Sequence, residues 1–398
     1  MPALSPVSED RSRRHLLKYA AAMAGSAPLG LSAVRAATTG AVPSPQATKP
    51  AKVGGGLGKG LIGYMLAHEQ FPVQQLVSLG SQATQGGFHL LATSDHLQPW
   101  QANEARSGEA WVTMGALSMH VHQAWMGTTV TCPILRYSPA VVAEAFASLS
   151  HLAPGRIFLG VGSGEALNEQ AATGMWPKWQ ERWDRLIEAI DIIRGLWSGE
   201  ALSHKSKYYK VDAKLFDPPP QPIPLLTAAN GRKSMRLAGR YGDGLVTDPL
   251  TWQQNKAEWQ DGARAAGKNP DDMPVLVEQY VVVGGDADAR KAAELWRFGP
   301  KAFKSLYNVS DPAEIQRRAD ARTPLDEVMK GWPISTDPGP HIQKIHELQE
   351  SGVSIVNIHT GQPDPQRVID FYATRVLPHV AQPASSGGSG GQVTGSRL

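Results

Sequence analysis

Three short runs carry side chains able to move a proton or seat a flat ring. Ser94-Asp95-His96 leads into Gln98-Pro99-Trp100, Gly162-Ser163-Gly164-Glu165 leads into Asn168, and Ala229 precedes Asn230-Gly231. An imidazole titrates near neutrality, so His96 has the right type for general acid–base work. An adjacent Asp-His pair is nevertheless more often a structural hydrogen bond. Glu165 reads equally well as a helix-capping carboxylate or a buried acid. The glycines before it let a flat ring or a phosphate approach the backbone closely. They are not a dinucleotide fingerprint, because Glu165 stands where the third glycine belongs. Asn230-Gly231, opening a helix, suits either an anion site or a tight βα turn.

Other chemistries find no support. His120/His122 and His341/His346 lack a third ligand at metal spacing, so no metal site is expected. Gly54 to Gly60 has neither the spacing nor the hydroxyl of a phosphate loop, and no nucleophile elbow or His-Glu-x-x-His is present. Cys132 is the sole cysteine, which rules out an internal disulfide.

The elements that must position these runs alternate short apolar strands with amphipathic helices. Strands are expected at 61–67, 88–94, 125–131, 156–162, 224–229, 244–247, 275–283 and 354–359. Helices are expected at 72–85, 139–151 (capped by Ser138) and 178–198. Eight strands with intervening helices fit a (β/α)8 TIM barrel better than a doubly wound sheet. Residues 207–215 and 294–332 exceed simple connections and read as insertions over the barrel mouth. Polar residues at the C-terminal ends of barrel strands are the expected catalytic positions, and the runs above fall there.

The chain has 398 residues, 41% hydrophobic and 19% charged, with a net charge of +3, which gives no electrostatic argument for nucleic acid. Residues 1–37 read as an export signal. Ser12-Arg13-Arg14-His15-Leu16-Leu17-Lys18 fits the twin-arginine pattern, followed by an apolar stretch and the small residues of Val34-Arg35-Ala36. Twin-arginine machinery carries folded proteins, commonly ones loaded with cofactor beforehand, into the periplasm or cell envelope. Residues 38–59 read as a linker, 60–382 as the catalytic domain and 383–398 as a disordered Gly/Ser-rich tail.

At the same strand ends the chain resembles a known family. Ser94 to Trp100, Arg136-Tyr137-Ser138-Pro139-Ala140, Gly162 to Glu169 and Leu196-Trp197-Ser198-Gly199-Glu200 look like the F420-dependent glucose-6-phosphate dehydrogenase group of the luciferase-like barrel superfamily. The signal, Thr131-Cys132-Pro133-Ile134 and Leu295-Trp296-Arg297-Phe298 look most like its exported branch, which contains hydroxymycolic acid dehydrogenase. The resemblance implies coenzyme F420, an 8-hydroxy-5-deazaflavin, accepting hydride at C5 from an alcohol carbon. It implies His96 as the base for the alcohol proton, Glu165 as acid or electrostatic partner, and Trp100 packed over the reacting centre. Asp95, Thr129, Val130, Cys132, Asn168, Asn230 and Gly231 fall where the family contacts cofactor, with a non-proline cis peptide at Thr129-Val130. Cys132 stands where Thr is common.

Sugar-phosphate members hold phosphate with two Lys and one Arg. Here Thr247-Asp248-Pro249 lacks the first Lys, Gly331 stands in place of the Arg, and Lys304 reads as a displaced counterpart of the second Lys. Asp248 would repel a phosphate dianion, which needs several charge-assisted contacts. The expected substrate is a secondary alcohol without phosphate, on a small molecule or on an envelope lipid such as hydroxymycolic acid. A homodimer is also implied. The alternatives are a sugar-6-phosphate dehydrogenase, an FMN-dependent monooxygenase of the same superfamily, and a periplasmic binding protein without catalysis.

Overall fold

The computed structural model describes residues 56–380. The export signal, most of the linker and the tail fall outside them. Among the described residues, eight parallel strands close a barrel: β1 (Leu61–Leu66), β2 (Leu90–Thr93), β3 (Trp125–Thr128), β4 (Ile157–Val161), β7 (Leu225–Ala228), β8 (Gly244–Thr247), β9 (Val275–Val281) and β10 (Ile355–Thr360). The remaining pair, β5 (Leu202–Lys205) and β6 (Lys210–Ala213), forms an antiparallel hairpin. β10 pairs with β1, Leu61 opposite Ile355, which closes the ring.

Alternation along the strands divides their apolar side chains between two cores. Leu61, Met65, Leu90, Ala92, Trp125, Phe158, Leu226, Val246, Leu276 and Ile355 fill the barrel interior. Ile62, Tyr64, Leu66, Leu91, Leu159, Val277 and Ile358 face the helical layer instead. Both faces are therefore apolar, as a helix-covered parallel sheet requires. Leu57, expected in the linker, is buried in the inner core and so belongs to the barrel.

The covering helices include α1 (Val73–Gln85), α2 (Ala110–Ser118), α3 (Pro139–Leu152), α4 (Ala166–Thr173), α5 (Trp179–Trp197), α6 (Arg232–Tyr241) and α7 (Pro249–Ala265). Ser138 occupies the position before α3 without making a side-chain capping bond, so the expected cap is one of position only; Pro139 in the first turn is the stronger start signal. The third strand ends at Thr128 rather than Thr131, and Thr131 makes an isolated parallel bridge to Val161.

Both insertions are present. The hairpin begins at Leu202, earlier than expected, and Tyr209 donates from its hydroxyl to the Ile134 carbonyl after β3 (3.1 Å). The second follows α8 (Asp286–Leu295) and contains α9 (Pro312–Arg322) and α10 (Leu325–Val328). Its Trp296, Phe298, Leu306, Ile315 and Val328 pack with Ala67, Trp100 and Leu167 in a third apolar core over the strand ends. α11 (Gly339–Glu350) and α12 (Pro365–Phe371) flank β10.

Candidate active site

The loops leaving β1 and β2 meet at a buried carboxylate that the sequence reading missed. Glu69 follows β1, and its Oε1 contacts His96 Nδ1. Its Oε2 accepts from the Ser94 hydroxyl (2.7 Å), and Ser94 Oγ accepts from the His68 backbone N–H (2.9 Å). Among the described residues, no protein group bonds His96 Nε2, and the Trp100 ring stands edge-on to the imidazole at 5.8 Å. Burial pushes the imidazolium down, but Glu69 in contact, with Glu165 and Asp95 beyond it, reverses this, so His96 titrates above its ordinary 6.5. Burial would raise Glu69, yet the His96 charge and the His96 and Ser94 hydrogen bonds hold it down to about 2. The arrangement can accept a proton at Nε2 while its orienting partner stays ionised.

Asp95 takes no part in that pair. Its buried carboxylate accepts from Thr131 Oγ1 (2.6 Å), Arg136 Nη2 (2.8 Å) and the Tyr137 hydroxyl (3.3 Å). The Asp95 side chain therefore anchors the loop on which His96 sits. The Arg136 N–H donates to Glu169 Oε2 at 2.7 Å, so residue 136 ties the His96 loop to α4. Burial raises Glu169 to about 7 against the pull of Arg136. A buried charge network of this kind specifies a geometry more than it adds stability.

Glu165 occupies the position before α4 in extended backbone, and its side chain makes no capping bond. The capping reading is thereby corrected: the half-buried carboxylate remains available, 3.4 Å from Asn168 Nδ2. Asn168 Oδ1 accepts from the Leu97 N–H (2.8 Å), and Gln98 Nε2 donates to the Leu167 carbonyl (2.7 Å). These bonds bring Glu165 and His96 to the same end of the barrel.

The neighbouring strand ends pack backbone closely. The Thr129-Val130 peptide is cis. A Cβ on Gly162 would lie 2.8 Å from Val130 Cγ2, and one on Gly164 (φ +78°) would lie 2.7 Å from both Cys132 Sγ and Glu169 Cγ. Only glycine fits at Gly164 on both counts. Cys132 lies buried beneath it, its thiol pushed well up by burial and then by Glu169 and Glu165, so it packs as a neutral group. Trp100 stacks on Phe298 of the second insertion at 4.6 Å and 8°, with Phe303 edge-on at 6.4 Å. Gln101 latches that wall: its Oε1 accepts from the Phe298 N–H (2.7 Å) and its Nε2 donates to the Glu294 carbonyl (3.0 Å).

Asn230 and Gly231 differ from the anion-site expectation. Both N–H groups donate to Ser234 Oγ (3.3 and 3.1 Å), so the segment is a self-satisfied βα turn with the Asn230 side chain exposed. Two surface cavities, about 420 Å³ beside Gln75 and Asp364 and about 260 Å³ beside Arg297 and Thr323, lie apart from these residues.

A family model described as luciferase-like monooxygenase matches residues 55–354. The chain belongs to that family. It is 45% identical over 322 residues to the F420-dependent hydroxymycolic acid dehydrogenase of Mycobacterium tuberculosis, covering 80% of this chain and 88% of that protein. It is 35% identical over 327 residues to the F420-dependent glucose-6-phosphate dehydrogenase of Nakamurella multipartita, covering 80% and 96%. Among solved structures, an F420-dependent secondary alcohol dehydrogenase in complex with an F420-acetone adduct superposes with a TM-score of 0.76 at 32% identity, covering 81% of this chain and all of that one.

In this luciferase-like chain the positions expected to repel or lose phosphate have local structural roles. Asp248 caps α7, its Oδ1 accepting the Thr251 N–H (2.9 Å) and its Oδ2 the Thr251 hydroxyl (2.5 Å). Gly331 lies at φ +85°, a conformation that disfavours the arginine it replaces. Lys304 is exposed on the turn Ala302–Leu306.

Proposed function

We propose that this chain is an F420-dependent dehydrogenase that oxidises a non-phosphorylated secondary alcohol. The observation that carries the reading is the Glu69–His96 pair at the strand ends, whose Nε2 no protein group bonds among the described residues. The strand ends here are closely packed backbone, Val130 lying against Gly162 and Cys132 with Glu169 against Gly164, and beside the Thr129-Val130 peptide they offer a surface with few side chains on which a planar heterocycle would lie. Thr129, Val130, Cys132, Asn168, the exposed Asn230 side chain and the Asp95 backbone are the groups that would hold it. When bound, the deazaflavin supplies a two-electron hydride acceptor.

The protein's own part is proton handling and orientation. His96 Nε2 takes the carbinol proton while Nδ1 keeps its own proton, donated to the Glu69 carboxylate, whose charge stabilises the imidazolium. Glu165 adds negative charge that favours this cation. Trp100, braced by Phe298, excludes water and sets the carbinol against the imidazole. Because His96 titrates above 6.5 and must be neutral to act, alcohol oxidation rises with pH through that raised value.

The Asp248 cap and the Gly331 backbone support a substrate without phosphate. The aromatic wall, together with similarity to a hydroxymycolic acid dehydrogenase, supports an apolar alcohol, including an envelope lipid. The Arg13-Arg14 pattern supports export by the twin-arginine pathway, and the resemblance supports a homodimer. Replacing both arginines with Lys should leave the protein in the cytoplasm, and light scattering reads the oligomer.

The deciding experiment titrates purified protein with F420, FMN and NAD by fluorescence, then follows F420 absorbance with secondary alcohols and glucose 6-phosphate. Tight F420 binding with alcohol-dependent reduction is expected. Preference for FMN with oxygen-dependent turnover, or reduction by glucose 6-phosphate alone, would overturn the reading.

A further inference from the structure

The barrel interior carries a second imidazole–carboxylate pair that the reaction above does not use. Along β9, Leu276, Glu278 and Tyr280 share the barrel-facing side, and Glu278 and Tyr280 are its two positions that are not fully buried. Along β10, Asn357 and His359 share the face of Ile355, which belongs to the inner core. The register sets Asn357 against Glu278 and His359 against Tyr280. His359 Nδ1 lies 2.9 Å from Glu278 Oε1, with the two side chains 2% and 23% exposed. His359 Nε2 and Asn357 Oδ1 are buried without a partner among the described residues.

This pair is continuous with the proposed site on two sides. The His359 ring lies 4.4 Å from Trp296, Trp296 lies 5.8 Å from Phe298, and Phe298 stacks on the Trp100 that stands against His96. On the floor, Met65 Sδ receives both Thr129 Oγ1 and Asn357 Nδ2 at 3.6 Å. Tyr280, 4.2 Å from the His359 ring, keeps its phenolic proton because burial, then Glu278, Glu104 and Glu69, raise it well above the usual range.

The donor set states what would bind. An imidazole whose Nδ1–H donates to Glu278 presents Nε2 as an acceptor, and the second carboxylate oxygen is another. Acceptors call for a donor, the carboxylate repels anions, and the Tyr280, Trp296 and Trp332 rings favour carbon over water. We propose that Glu278 and His359 form a hydroxyl-binding subsite, so that the preferred substrate carries a second hydroxyl beyond the carbinol that is oxidised. This rests on the dehydrogenase reading and narrows its substrate class.

The test compares secondary alkanols with analogues bearing one more hydroxyl at increasing distance from the carbinol (butan-2-ol against butane-1,3-diol, and longer alkanols against their diols), and with the corresponding amino alcohols. The holoenzyme should favour the diol in kcat/KM by roughly tenfold or more. Glu278→Gln and His359→Phe should erase that preference while simple-alcohol turnover and F420 affinity stay unchanged. No preference in the parent protein, preference for the amine, or an unchanged preference in Glu278→Gln would overturn the subsite, as would parallel loss of both alcohols. Should no alcohol reduce F420, the dehydrogenase reading fails, and tryptophan fluorescence still decides the subsite. Quenching by the diol and not the mono-ol, lost in Glu278→Gln, supports it; equal response refutes it.

Discussion

The two imidazole–carboxylate pairs use the same bond and differ in what surrounds it. In Glu69–His96 the carboxylate is sealed (2% exposed) and holds a second hydrogen bond, while the imidazole keeps an open nitrogen. In Glu278–His359 the burial is reversed: the imidazole is sealed and solvent reaches the carboxylate. A sealed carboxylate beside an open imidazole stabilises a cation where a proton must be received. A sealed imidazole beside an open carboxylate presents fixed acceptors. The position of the desolvated partner, more than the pairing itself, separates proton transfer from recognition.

The largest test of that difference is His96→Ala, expected to lower kcat by roughly 10²–10⁴ with F420 affinity retained by fluorescence titration. His359→Phe should leave simple-alcohol kcat at the parent value, and equal losses would erase the distinction. Glu69→Gln comes next, lowering kcat by about ten- to a hundredfold. It also removes the charge that raises His96, so the acid limb of the pH–rate profile should move to lower pH. A limb that stays in place would mean that Glu69 only packs.

Smaller effects sharpen the picture beneath the first pair. Gly164→Ala places a methyl against Cys132 and Glu169 at a positive φ, and should cost about 1–3 kcal/mol in urea unfolding and weaken F420 binding. Glu169→Gln has a signed pH dependence. The folded chain holds the Glu169 proton up to about 7 against an ordinary 4.5, so it binds more protons than the unfolded chain between those values and loses stability as pH rises through them. Gln lacks that loss, so the variant's unfolding temperature should gain on the parent across this window, by on the order of 1–3 kcal/mol in stability at its upper end. A constant difference would show that Arg136 already compensates the charge.

Much of this architecture is legible in the sequence. The eight barrel strands follow from apolar runs buried on both faces, and the loops bearing His96, Trp100, Glu165 and Asn168 follow from their places at strand ends. The helix Ala110–Ser118 escaped because AWVTMGALS offers no polar stripe to reveal a helical period, and Val112 stays exposed. Glu69 escaped because its partner lies 27 residues away, although it closes the first strand's loop. The anchoring of the Asp95 carboxylate by Thr131, Arg136 and Tyr137 also joins distant segments and leaves no local signal. Asn230-Gly231 had two readings, and the hydroxyl of Ser234, one turn into α6, selected the turn.

Strand periodicity and the residue types at strand ends are local properties, so the sequence by itself determined a barrel, a mouth and a set of proton-active side chains around it. Which carboxylate partners which imidazole, and which member of each pair is sealed from water, depends on segments brought together from distant parts of the chain. Desolvation is set by everything packed around a group at once. Only the tertiary structure could therefore show which pair has the build proposed for receiving a proton and which that of a fixed set of acceptors.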